Sequence, residues 1–275
     1  MKNLPFEIDV YGHYPPGMVR MNWLDQPAPA MPEIDRLVAQ VWQEQVDIAK
    51  REGRRLFNGQ LARYLRHRSC EKSLVIDVGP TDYATFMATN LFNPHRAAEL
   101  GWENFSNPMG TSATIITSDG HLIYGRRGTN VAFHQGYVHT IGGGVEANEV
   151  DTDGRIDVFA SIRREINEEI AIAPEAIREL TCLGLIYDRH IRQPALIFDA
   201  IVAHSREELI HRIDAGDPEE EHEEFVSCAD QPDAILRFIK QTNKIAPIAI
   251  GAALLHGRRR FGEEWFRETS QAISM

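Results

Sequence analysis

The sequence has no apolar run near the roughly 18 residues that span a bilayer. Its start, MKNLPFEIDVYGHY, carries an acidic pair and no apolar stretch of the secretory type. Neither a membrane span nor a secretory signal is expected, and the expected location is the cytosol. Cysteine is scarce: Cys70, Cys182 and Cys228 are far apart, odd in number and outside CxxC spacing. That excludes a disulfide framework and a cysteine zinc site as organising features. Basic residues are outnumbered, 29 Lys and Arg against 40 Asp and Glu, for a net charge of −11. Sequence-independent binding to DNA or RNA needs a basic surface and is disfavoured. An anionic substrate would need local help from basic side chains or metal ions.

With 43% hydrophobic residues the chain can bury a real core, and its 275 residues fit one large domain or two smaller ones. Residues 1–31 are proline-rich (PP at 15–16, PAPAMP at 27–32) and read as an extended arm. Apolar spacing predicts a helix over 32–54, strands over 55–68 and 72–79, and a helix over 81–100 broken at Asn93-Pro94. A loop then leads to an expected domain boundary that separates residues 1–106 from 107–275. Beyond it, SATIITS and HLIYGRR read as strands joined by a turn at Ser118-Asp119-Gly120. A glycine-rich stretch, a helix near 157–170, strands at 180–188 and 194–203, a helix at 205–213, a short strand and two further helices follow.

The segment TIGGGVEANEVDTDGRIDVFASIRREINEEIAI (140–172) concentrates the chemistry. On a helix, Glu165, Glu168 and Glu169 fall at about 0°, −60° and +40°, one face. Phe159, Ile162, Ile166 and Ile170 form an adjoining apolar stripe suited to docking on a sheet, and Arg164 is spaced to pair with Glu168. Such a face is either solvated or compensated by a cation, and hard Mg²⁺ or Mn²⁺ prefers oxygen ligands of this kind. The run Gly142-Gly143-Gly144 just upstream allows close approach of backbone to a metal or phosphate.

This arrangement resembles the box of the Nudix hydrolases: G, five residues, E, seven residues, then R-E-U-x-E-E-x-G-U, with U aliphatic. Gly143 and Glu149 match its first half, and residues 164–172 match the second, with Ala171 in place of the glycine. Fourteen residues (150–163) separate Glu149 from Arg164, an insertion of seven. Three stretches, RRLFNG (54–59), LVIDVGPTDYATFMATN (74–90) and NPMGTSATIITSDGHLIYGRR (107–127), are similar to a branch of that family that hydrolyses UDP-glucose and UDP-galactose. That branch also has an N-terminal extension and a lengthened box.

The resemblance implies an α/β/α sandwich around a mixed sheet, with an N-terminal α+β extension. It implies hydrolysis of a nucleoside diphosphate linked to another moiety, with UDP-sugar as the expected substrate. ADP-ribose or NADH, and a non-catalytic nucleotide-binding protein, are the rival expectations. Glu165, Glu168 and Glu169 would hold Mg²⁺ or Mn²⁺ with the Gly143 carbonyl, and Arg164 would hold a glutamate in place. In the family that partner is the box's first glutamate, here Glu149; given the insertion, Asp157 is the alternative. Homodimers are common in the family.

Other residues carry less. Arg126 and Arg127, at a strand end, are candidates for phosphate binding or simply exposed arginines. The run DPEEEHEEF (217–225) offers Glu220, Glu221, Glu223 and Glu224, with His222 among them; Glu223 is the expected general base. Tyr83 and Phe86 could stack on a base, though core packing is the ordinary role of such residues. His134, His139 and His190 have no metal-ligand spacing.

Overall fold

The computed structural model describes residues 4–129, 131, 133–215 and 222–274. In chain order the elements are β1 (Phe6–Tyr14), β2 (Val19–Trp23), α1 (Pro32–Arg51), β3 (Gln60–Cys70), β4 (Ser73–Asp82), α2 (Tyr83–Phe86) and α3 (Ala97–Leu100). Then come β5 (Gly110–Ile116), β6 (His121–Arg127), β7 (Val138–His139), β8 (Arg155–Ile156), α4 (Val158–Ile170), β9 (Ile177–Asp188) and β10 (Pro194–Val202). The chain closes with α5 (Arg206–Ala215), β11 (His222–Ala229), α6 (Pro232–Gln241), α7 (Pro247–Phe261) and α8 (Glu263–Ile273). None of the helices among the described residues is long and apolar enough to cross a membrane.

Two mixed sheets result. The larger runs β1-β9-β10-β5-β6-β11, with β7 beside β6, and only β10 and β5 are parallel. The smaller runs β3-β4-β2-β8, with β2 and β4 parallel. Strand β10 shows why its sequence reads as a continuous apolar run. Leu196, Phe198, Ala200 and Val202 face a core shared with α4 and the smaller sheet. Ala195 and Ile197 point the other way, against Ile248, Ala252 and Leu255 of α7. Both faces are covered, so both alternating sets are apolar except at Asp199, whose buried carboxylate is paired with His256 and Arg259. The expected sandwich of helices on either side of a mixed sheet is present.

The proline-rich arm is more ordered than its composition implied. Residues 27–31 stay outside regular elements and Pro32 opens α1, but β1 pairs antiparallel with β9 and β2 lies inside the smaller sheet. Phe6, Val10 and Tyr14 are buried while the residues between them are mostly exposed, an alternation that the flanking prolines obscured. In chain order Asn107 sits just before β5. In space the segments on either side of it share both sheets, because β1 edges the larger and β8 completes the smaller.

The expected break at Asn93-Pro94 is present, and the segment 81–100 divides into α2, a wide turn at Met87–Leu91, a short 3-10 turn at Pro94–Arg96 and α3. The cause is polar. Asn90 is buried and donates to Ile191 O at 2.7 Å and Asn107 Oδ1 at 2.9 Å, while Thr89 accepts from Ser106 N. These bonds tie the extension to the β9–β10 turn. Residues 55–59 lie outside β3, and α8 was not expected from the sequence.

On the α7 side, His256 is buried between Asp199 and Asp230, with each ring nitrogen 3.0 Å from a carboxylate. Arg259 also reaches Asp199, at 3.1 Å. Burial disfavours the imidazolium, but the two carboxylates outweigh it and raise the His256 pKa to about 9. In the unfolded chain the group titrates near 6.5. Its stabilisation is therefore complete below about pH 6.5 and lost as pH rises through about 9, a swing on the order of 3 kcal/mol. Wild-type Tm should fall across this window relative to His256→Gln, measured by thermal melts from pH 6 to 9.5. Parallel profiles would remove this account.

Candidate active site

The acidic helix is α4, and its start is fixed by Asp157, whose Oδ1 accepts from Phe159 N at 3.0 Å and Ala160 N at 3.2 Å. That N-cap occupies Asp157, so it does not serve as the arginine's partner. Glu149 does. Its Oε1 lies 2.8 Å from Arg164, and its Oε2 accepts from Ser161 Oγ at 2.5 Å. The seven-residue insertion leaves this pair intact because it loops out and folds against the extension. Asp151 caps its turn by accepting from Asp153 N and Arg155 N, and β8 pairs with β2. At the other end of α4, Ala171 takes the left-handed conformation with φ 52°. This is the position where the box has glycine, which adopts it without strain.

Arg164 is the hub. It contacts Glu149 and Glu165 at 2.8 Å each and Glu168 at 2.7 Å. Burial works against its charge, but Glu165, Glu149 and Glu168 outweigh that and raise its pKa further. The expected one-face placement of the three helix glutamates holds. Glu165 lies against the Cα of Gly143, where any side chain would collide with its carboxylate. Glu169 is buried; its Oε1 accepts from Gly142 N at 3.0 Å, and its Oε2 is 2.6 Å from His222 Nε2. Two carboxylates thus converge on the glycine run. Gly142 has φ 148°, and a Cβ there would run into Thr111 O. The Gly143 carbonyl accepts from Thr111 N at 2.8 Å and, over a longer distance of 3.4 Å, from Thr111 Oγ1.

Among the described residues, no three His, Cys, Asp or Glu side chains are gathered around one point as for a metal ion. The reason is local: Arg164 draws Glu149, Glu165 and Glu168, and His222 draws Glu169. The donor set nevertheless has the chemistry of a hard divalent site, carboxylates and a carbonyl beside a backbone that admits close approach.

A cavity of about 250 Å³ opens beside the glycine run. Arg127 lines it, with its Nε 3.3 Å from Phe133 O; Arg126 instead pairs with Glu224 at 2.8 Å. Tyr83 and Phe86 of the extension form part of the wall, as do Phe133 and His134, whose rings stack at 3.7 Å between centroids. Asp188 and Gln193 also line it, and neither was singled out by sequence reasoning. No local pattern marks them; the β9–β10 turn brings them there. Burial, with Arg127 nearby, lowers His139 to about 3 and His134 to about 4, so both are neutral at neutral pH. Of the 217–225 run, Glu220 and Glu221 lie outside the described residues. Glu223 is exposed, and the member of the run that reaches the acidic helix is His222.

The Glu149–Arg164 pair is kept across the insertion. A comparison with curated proteins finds several relatives. A protein of Arabidopsis thaliana named Nudix hydrolase 9 is 25% identical over 217 residues, covering 65% of this chain and 66% of that one. The chain is similar to the Nudix hydrolases. A mouse protein named uridine diphosphate glucose pyrophosphatase NUDT22 is 24% identical over 212 residues, 69% of each chain. The matched region thus spans about two thirds of these relatives' length. No family model matches the chain. The solved Nudix hydrolase from Alicyclobacillus acidocaldarius overlaps 55% of this chain and 91% of its own at 13% identity, with a TM-score of 0.40, too partial to add weight.

Proposed function

We propose that this protein hydrolyses the diphosphate bond of a nucleoside diphosphate linked to a second group, with a UDP-sugar as substrate and UMP and sugar 1-phosphate as products. The observation that carries the reading is the convergence of Glu165 and Glu169 on Gly142 and Gly143, two glycines that line the cavity. Glu165, Glu168 and Glu169, with the Gly143 carbonyl, are the groups that would hold Mg²⁺ or Mn²⁺. Such a cation neutralises phosphate charge, orients water and stabilises the leaving phosphate. Arg164 keeps the carboxylates from repelling one another and sets their direction. The glycine run lets the diphosphate approach the backbone, and Arg127 offers a cation at the cavity wall. Water adds to one phosphorus, the bridging P–O bond breaks, and the bridging oxygen leaves with the other phosphate. In this reading residues 107–275 carry the chemistry, and 1–106 supply the aromatic wall of Tyr83 and Phe86 on which a base can stack. The name of the mouse relative supports the UDP-sugar assignment.

The test is a turnover screen of the purified chain with Mg²⁺ or Mn²⁺, and with EDTA as control. The panel holds UDP-glucose, UDP-galactose, ADP-ribose, NADH, CoA and nucleoside triphosphates. Metal-dependent UMP release from the UDP-sugars alone is the expected result. Turnover of ADP-ribose or NADH instead would keep the site and overturn the substrate. Inactivity on the whole panel would favour a nucleotide-binding protein without catalysis.

A further inference from the structure

We propose that His222 is a positioning residue for Glu169, fixing the plane of that carboxylate before a cation arrives. The proposal rests on the reading above, in which Glu169 serves a divalent cation. Glu165 and Glu168 are held by Arg164, a neighbour on their own helix. Glu169 is held differently, by two other parts of the fold. Gly142 N–H binds its Oε1 at 3.0 Å, and His222 Nε2, on the edge strand β11, lies 2.6 Å from its Oε2. With both oxygens anchored, the carboxylate cannot turn about its terminal bond without breaking one of these contacts.

The fold makes room for this contact. The side chains of His222 and Glu169 are 1% and 3% exposed, so water does not screen the pair. The ring lies over Gly125 of β6, where any Cβ would overlap it. Phe225, the register partner of Gly125, packs at 5.4 Å from the ring at an angle of 67°. Between His222 and Glu224 the β11–β6 register slips, the mark of a bulge. The irregularity lets His222 turn inward while Glu223 stays exposed and Glu224 pairs with Arg126 at the surface. A bulge, a missing side chain and an aromatic neighbour thus all serve one imidazole orientation. Hydrogen bonds to a ligating group set its direction, and their loss typically weakens metal binding by about 10–100-fold.

The experiment measures Mn²⁺ binding to the full chain by electron paramagnetic resonance, without substrate, for wild type, Glu169→Gln, His222→Ala, His222→Gln and Gly125→Ala. Thermal melts run alongside. We expect His222→Ala to bind about 10–100-fold more weakly. Gly125→Ala, which touches no carboxylate but displaces the ring, should weaken binding in the same direction. His222→Gln retains a donor and should recover much of the loss. In turnover assays the His222→Ala defect should shrink as Mn²⁺ is raised, which a purely structural lesion would not show. Wild-type affinity in both His222→Ala and Gly125→Ala would overturn the positioning role while leaving the metal reading intact. Failure of wild type to bind Mn²⁺, or undiminished binding by Glu169→Gln, would overturn the metal reading and this proposal with it. If His222→Ala does not fold, Gly125→Ala and His222→Gln decide the matter.

Discussion

Replacing Glu169 by Gln is expected to lower turnover on the order of 10³-fold or more while leaving the fold in place. The substitution is nearly isosteric. Its amide oxygen can still accept from Gly142 N–H, and the apolar stripe of α4, Ile162, Ile166 and Ile170, is untouched. What disappears is a negative charge, held beside the glycine run, that a divalent cation would need. The melting temperature should stay within a few degrees of wild type, which separates loss of chemistry from loss of structure. Near-normal turnover by a folded Glu169→Gln protein would remove Glu169 from the metal-binding set. Among the three helix glutamates this is the informative one to change. Glu165 and Glu168 share Arg164, so altering either also disturbs the hub, whereas Glu169 is anchored elsewhere.

Gly184→Ala should cost about 3–5 kcal/mol of stability, the sum of backbone strain and overpacking at one position. Gly184 lies within β9 with φ 140°, a conformation that L residues rarely adopt. A Cβ there would overlap the carbonyl oxygen of Val10 in β1, a backbone atom that cannot move unless the β1–β9 pairing moves with it. The β9–β10 register slips at the same place, and the slip lets Cys182 and Leu185 both face the core shared with α4. The cost would appear as a lower urea midpoint for Gly184→Ala at unchanged slope. A loss below about 1 kcal/mol would mean that β1 yields freely and is not part of the sheet that carries the site.

The sequence by itself determined the parts governed by local spacing. The α4 stripe and its acidic face follow from a 3.6-residue period, and the glycine run is contiguous with them in the chain. Helices α6 and α7 and strands β5, β6 and β10 were legible for the same reason: each carries its pattern within a few consecutive residues. Composition also argued against a disulfide framework and disfavoured sequence-independent nucleic-acid binding.

Tertiary structure decided what depends on residues far apart in sequence. Counting residues left Glu149 and Asp157 as rivals for Arg164, because an insertion hides where its ends come together. The fold resolves this by spending Asp157 on the helix N-terminus and pinning the inserted loop to β2. Two strands within the arm, β1 and β2, were hidden from the sequence because their partners, β9 and β4, lie far along the chain. Asp188 and Gln193 reach the cavity only through the β9–β10 turn. His222, one polar residue in an acidic run, meets Glu169 only because β11 pairs with β6 and Gly125 of β6 leaves room for its ring. Spacing along a chain specifies which side chains share a face; which faces meet is set by the packing of both sheets around one core.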